Sequence, residues 1–120
     1  MTFEPIPESL ELVMYSRETP CPFVSLARRV LAENRIPYRE LFIDHDKLAE
    51  RRVLDWTGFM SVPTLIAALP GETLPFVTPA PLPPSSSPRG IDRGALITEP
   101  DESQLCAWLR RVGLLSPAPP

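Results

Sequence analysis

Residues 10–15, "LELVMY", alternate between apolar and polar and then run apolar, the pattern of a strand entering a core. The following "SRETPCP" is rich in turn formers, and Pro22 suits the first turn of a helix, where its missing N–H costs nothing. From Phe23 to Asn34, Phe23, Leu26, Ala27, Val30 and Leu31 recur at three- and four-residue spacing, which predicts an amphipathic helix stopped near Asn34 and before Pro37. Residues 38–43, "YRELFI", read as a second strand. Residues 44–58 read as a second helix, with Asp44 or Asp46 as cap, Ala49, Val53, Leu54 and Trp56 on its inner face, and Gly58 as a left-handed stop. "SVPTLIAAL", residues 61–69, predicts a third strand with Pro63 at its start, where a missing donor is tolerated.

The periodicity then breaks. Seven prolines fall between Pro70 and Pro88, and such a run can neither join a central strand nor form a helix. It reads as a surface loop, ordered or mobile, or as a proline-rich ligand for an aromatic groove. "GALIT", residues 94–98, resumes as a short strand. Residues 99–113 predict a last helix with Asp101 as cap, acids in its first turn, Arg110 and Arg111 in its last, and Gly113 as its stop. Residues 1–9 form an irregular lead-in and "LLSPAPP" a tail.

Strand, helix, strand at the start implies a parallel pair joined by a right-handed crossover. The last two strands form an antiparallel hairpin widened by the proline insertion. The expectation is an α/β fold: a four-stranded mixed sheet with helices on both faces. It is one domain over 1–120, with its core at about 10–69 and 94–113 and its insertion at about 70–93.

The chain has 120 residues, 43% of them apolar, which supports a hydrophobic core. A net charge of −3 lacks the basic footprint of a nucleic-acid binder. No stretch approaches the roughly 18 continuous apolar residues of a membrane helix. The N-terminus has no basic region and carries prolines and glutamates, unlike a signal peptide. The expected compartment is the cytoplasm, with no membrane partner, where two cysteines, Cys21 and Cys106, are free, buried or catalytic rather than a structural disulfide.

Cys21 stands before Pro22 at the start of the first helix. Unpaired backbone N–H groups and the positive end of the helix dipole favour negative charge there, hence the thiolate, which is the nucleophile. Arg17, in the same loop, adds positive charge. These residues alone leave two readings, a reactive Cys21 and a buried structural one.

The order "LVMYSRETPCPF", helix, "NRIPYRELFID", "ERRVLDWTGFMSVPTLI", closing strand and helix resembles the glutaredoxin branch of the thioredoxin-like fold over residues 10–69 and 94–113. The family's C-P-Y-C stands here as Cys21-Pro22-Phe23-Val24, and its T-V-P as Ser61-Val62-Pro63. "CPF" is also similar to the first domain of omega-class glutathione transferases. The resemblance implies a cis Val62–Pro63 bond facing the cysteine, with the Val62 backbone pairing to the cysteinyl part of glutathione. It further implies Arg17 holding the thiolate, Phe23 shaping the groove beside Pro22, and Asp101 and Glu102 matching an acidic pair for the γ-glutamyl amine. The departures are Val24 in place of the second cysteine, Pro22 and Val24 in place of the glycine and serine of C-G-F-S monothiol members, and Glu99-Pro100 where a glycine pair follows the fourth strand.

The function so implied is a monothiol thiol–disulfide oxidoreductase. Cys21 would reduce mixed disulfides of protein substrates and be regenerated by glutathione or another low-molecular-weight thiol, with no permanently bound cofactor. Two readings from other classes stand beside it: an iron–sulfur cluster shared through Cys21 by two protomers and glutathione, and an inactive scaffold whose proline-rich segment binds a partner. Cys106 reads as core or half-buried. Arg28, Arg29, Arg51 and Arg52 read as solvated faces, and Trp56 and Trp108 as core. His45 reads as a residue of an exposed loop or first helical turn on the far edge of the fold, neither metal ligand nor base. No metal site is expected.

Overall fold

The computed structural model describes residues 6–117; the first half of the expected lead-in and the last three residues of the tail lie outside them. The elements follow the expected order: β1 (Glu11–Ser16), α1 (Pro22–Glu33), β2 (Tyr38–Phe42), α2 (Lys47–Thr57), β3 (Thr64–Ala68), β4 (Leu96–Thr98) and α3 (Glu102–Arg111). They build a four-stranded mixed sheet in the order β2-β1-β3-β4. β1 runs parallel to β2, with Val13 opposite Arg39, and antiparallel to β3, with Val13 opposite Ile66. β3 and β4 form the antiparallel pair through Leu65 and Ile97. This is the thioredoxin-like arrangement.

Central position decides burial. Leu12 through Ser16 are all buried, as are all five residues of β3, because both strands are paired on two sides and covered on two faces. Val24, Ala27, Val30 and Leu31 turn the apolar stripe of α1 inward, and Leu105, Trp108 and Leu109 do the same for α3. Trp108 donates its indole N–H to the Gly94 carbonyl at 3.0 Å, satisfying its one polar atom. Tyr15 is buried and meets Trp56 of α2 edge to face, with ring centroids 5.1 Å apart. Its hydroxyl donates to the Thr73 carbonyl and accepts from Arg52 at 3.1 Å.

The local signals hold in detail. Asp46, not Asp44, caps α2, accepting from the Leu48 and Ala49 N–H groups, and Gly58 closes it at φ +80°. Asp101 caps α3 in a reciprocal box with Gln104. Several expectations need correction. β3 begins at Thr64 rather than Ser61, because Ser61–Pro63 form a loop that the Thr64 hydroxyl ties back to the Ser61 carbonyl at 2.9 Å. β4 begins at Leu96, since Gly94 turns at φ +91°. Leu54 lies outside the core at 38% exposure, because α2 directs Ala49, Val53 and Thr57 inward instead. Of the four arginines expected on solvated faces, Arg29 and Arg51 are exposed, whereas Arg28 and Arg52 are half-buried. Arg28 bridges Glu40, Arg29 bridges Glu33 and Glu102, and Arg52 donates to Thr73 Oγ1 at 2.8 Å as well as to Tyr15.

The proline-rich insertion is an ordered structure clamped by arginine. Buried Arg93 donates to the Ala80 carbonyl at 2.7 Å and to the Trp56 carbonyl at 2.5 Å, joining the insertion to the last turn of α2. Burial lowers the pKa of its guanidinium. Arg111 of α3 holds Asp92 through two hydrogen bonds at 2.6 and 2.7 Å. Backbone bonds add Phe76 N–H to the Ala67 carbonyl and Ala80 N–H to the Arg93 carbonyl, each at 2.9 Å.

A second brace orders the loop between β1 and α1. Asp44, which follows β2, accepts from the Glu18 N–H at 3.0 Å and from the Thr19 N–H at 3.4 Å, and His45 contacts the Glu18 carboxylate. The loop carrying His45 therefore lies against the loop leading to Cys21, not on the far edge of the fold. Partial desolvation pulls the Asp44 pKa up. The N–H groups of Glu18, Thr19 and Asp44 itself, with the charge of His45, outweigh that and hold it below the usual carboxylate range.

Two predictions follow from these fastenings. Arg93→Met removes a buried cation that serves two carbonyls, and is expected to cost about 2–4 kcal/mol in urea unfolding and to speed protease cleavage within residues 75–88. A depressed Asp44 pKa stabilises the folded loop at every pH above the unfolded value of about 3.9, and that contribution fades as pH falls through the lower folded value. Amide-exchange protection at Glu18 and Thr19, corrected for intrinsic rates, should hold at neutral pH and decline only in acid below the ordinary aspartate range. Asp44→Asn should lower it at neutral pH.

Candidate functional site

Helix α1 starts where Pro22 fixes φ and gives up no hydrogen bond, so the residue before it becomes the N-cap. That residue is Cys21, extended at φ −150° and ψ 123°, with its carbonyl accepting the Ser25 N–H at 3.0 Å. Its side chain caps nothing within the chain, so the first-turn N–H groups keep their unmet demand for negative charge beside a thiol.

The opposite wall is the Ser61–Pro63 loop. The Val62–Pro63 peptide is cis, and the Val62 carbonyl oxygen lies 4.0 Å from Cys21 Sγ. The loop is held from behind by the Glu99 N–H, which donates to the Pro63 carbonyl at 2.8 Å. Val62 and Pro63 are buried, whereas Cys21 is half-buried and open to a reactant.

The other residues expected at the site divide in two. Pro22 is exposed and Phe23 is half-buried beside Cys21. Val24 is in the core at 1% exposure, so the position of the motif's second cysteine carries a packing residue. Arg17 donates to the Pro20 carbonyl at 3.2 Å, a bond within the loop, while its Nε is buried without a partner among the described residues. Asp101 and Glu102 stand at the start of α3, already engaged. Asp101 accepts the Gln104 N–H at 2.8 Å as the helix cap, and Glu102 bridges Arg29 at 2.8 Å. The structure thus sets Cys21, with Phe23 next to it, opposite the Val62–Pro63 loop, and it engages Asp101 in the α3 cap and Glu102 in the Arg29 bridge. Cys106 lies half-buried on α3 against the core, and both cysteines are free.

Three residues at the site escape a sequence reading. Glu99 occupies the left-handed region at φ +44°, where side chains are disfavoured, and its carboxylate receives Arg89 Nε at 2.8 Å. Arg89 in turn lies over the Phe23 ring, 4.9 Å from its centroid. Asp44 braces the cysteine loop from outside. Glu99 stands where the resembling family has glycine, which is the one signal for its conformation. Arg89 has no signal, because its position depends on how the insertion returns.

Among the described residues, no group of three or more histidine, cysteine or acidic side chains is placed to hold a metal ion, and no helix is long and apolar enough to cross a membrane. Residues 12–68 match the glutaredoxin family, a stretch that runs from β1 through β3 and contains both Cys21 and the cis Val62–Pro63 bond. No curated protein and no solved structure matches the chain significantly. Family match, sheet order and the pairing of an N-cap cysteine with a cis-proline loop agree: residues 12–68 carry the glutaredoxin-family match, and the chain has the glutaredoxin/thioredoxin-like fold found in thiol–disulfide oxidoreductase-like proteins.

Proposed function

We propose that the protein is a monothiol reductase of glutathione mixed disulfides. The observation that carries this reading is the half-buried Cys21 at the α1 N-cap facing the Val62 carbonyl, with Val24 in the core where a second motif cysteine would stand. A peptide-like thiol lying along the Ser61–Pro63 loop can pair with the Val62 backbone, which brings its sulfur toward Sγ.

In this reading the Cys21 thiolate attacks the glutathionyl sulfur of a protein mixed disulfide. The new bond joins Cys21 to glutathione, the old disulfide breaks, and the protein sulfur leaves as a thiolate that takes a proton from solvent. A second glutathione thiolate attacks the glutathionyl sulfur on Cys21, releasing glutathione disulfide and restoring the Cys21 thiolate. The N-terminal N–H groups of α1 stabilise that thiolate both as nucleophile and as leaving group. Glutathione, or a similar thiol, is a co-substrate consumed at each turnover. A cluster shared between protomers would take Cys21 from each chain and its other ligands from glutathione, and against that reading stand Pro22 and Val24 in place of the glycine and serine of the C-G-F-S members.

The test is glutathione-coupled reduction of a glutathionylated peptide. The native chain is expected to turn over, Cys21→Ser to fall to the uncatalysed background, and Cys106→Ser to keep its rate. Absence of turnover by the native chain, or loss of it in Cys106→Ser with the fold intact, overturns the monothiol mechanism. Visible absorbance after anaerobic purification would favour the cluster instead.

A further inference from the structure

The returning limb of the insertion, residues 87–90, closes one side of a cleft that reaches Ser61 of the loop facing Cys21. Gly90 donates its N–H to the Thr98 carbonyl at 2.6 Å, and Arg89 bridges to Thr98 in parallel register. Gly90 sits at φ +75° with the Gln104 side chain only 2.4 Å from where a Cβ would lie, so this limb is seated directly on the capping box of α3. The cleft is lined by Phe59, Met60, Ser61, Pro88, Arg89 and Glu99 and measures about 340 Å³, within the range of small-ligand sites.

Arg89 is held in this wall from two directions. Phe23 supports the face of its guanidinium, and the Glu99 carboxylate takes its Nε. Glu99 is itself fixed, since its N–H is tied to the Pro63 carbonyl and its backbone is in a conformation that glutamate seldom adopts. The Glu99 side chain is 16% exposed, but that of Arg89 is 59% exposed, and its two terminal nitrogens have no partner among the described residues. A planar guanidinium immobilised through Nε and one face presents its remaining donors as a fork, the shape that receives a carboxylate in two parallel hydrogen bonds.

We propose that Arg89, supplied by the insertion, is a specificity-determining residue that receives a carboxylate of the thiol bound at Cys21, and so selects anionic peptide-like thiols over neutral ones. This rests on the reading of Cys21 as a mixed-disulfide reductase. Phe23 connects the two sites, since it is the second residue of the helix that Cys21 caps and also lies under the guanidinium. Glu99 orients Arg89, and its remaining oxygen is an acceptor for an ammonium group on the same thiol.

The test compares mixed disulfides of one cysteine peptide with glutathione, which carries two carboxylates, and with 2-mercaptoethanol, which carries none. For Arg89→Ala, kcat/KM on the glutathione disulfide should fall about 5- to 20-fold through KM, with the 2-mercaptoethanol disulfide unchanged. Arg89→Lys should recover part of the loss, as a point charge without the fork. Arg89→Glu should lose more than the alanine variant. Equal effects on both disulfides, or no effect on either, overturn the proposal. Binding separates its failure from that of the redox reading. S-methylglutathione cannot react, and should bind Cys21→Ser protein more tightly than does its diethyl ester. Adding Arg89→Ala should abolish that difference. An unchanged difference overturns the anchor whether or not the native chain turns over.

Discussion

The Cys21 end of the molecule depends on β1. Leu12 to Ser16 are buried, and Leu12 to Tyr15 are paired on both sides, to β2 in parallel and to β3 antiparallel. A strand so confined has one exit, and the loop leaving it must turn at once into α1. Pro22 permits that turn, Asp44 holds it from the loop after β2, and Cys21 arrives at the helix start without spending its side chain on the cap. The facing Val62 carbonyl reaches its place by the same logic, since β3 is the other neighbour of β1.

Arginine completes what the backbone ladder cannot. Proline has no N–H, so a segment with seven of them has few donors with which to join a sheet. The insertion is instead held by cations that reach carbonyls and carboxylates: Arg93 to Ala80 and Trp56, Arg111 to Asp92, Arg89 to Glu99. Arg93 reaches a carbonyl in the last turn of α2, while Arg111 and Arg89 each meet a carboxylate. The insertion behaves as part of the fold because its polar demands are met from the α2 C-terminus, the α3 surface and the end of β4.

The sequence carries the architecture well because its signals are local. The apolar stripe of α1, the Asp101–Gln104 box, Gly58 and the run in β3 each state their own conformation. Cys21, Val62 and Pro63 were legible through the spacing of their motifs. What could not be read is non-local. Arg28 and Arg52 look like solvent-facing charge until Glu40 and Tyr15 are seen beside them. His45 and Asp44 look remote from Cys21 until β2 is placed next to β1. Asp101 and Glu102 match an acidic pair in sequence, yet the cap and the Arg29 bridge engage them. Leu54 illustrates the reverse, an apolar side chain at helical spacing that the sheet does not reach.

The pairing of Arg89 and Gly90 with Thr98 has a consequence for association. An outer strand with free N–H and carbonyl groups is a template on which another extended chain can add. On the β4 side that template is already partly written over, by a short segment whose neighbour Pro88 offers no donor. Strand addition by a partner, or by a second copy, is thereby turned toward β2, which carries Arg39 and Glu40 on its two faces. Both of these charges are paired, with Glu11 and Arg28, so charged side chains flank the backbone on which a newcomer would add. The insertion thus acts at a distance from the thiol as well, by deciding which flank of the sheet is left available to other proteins.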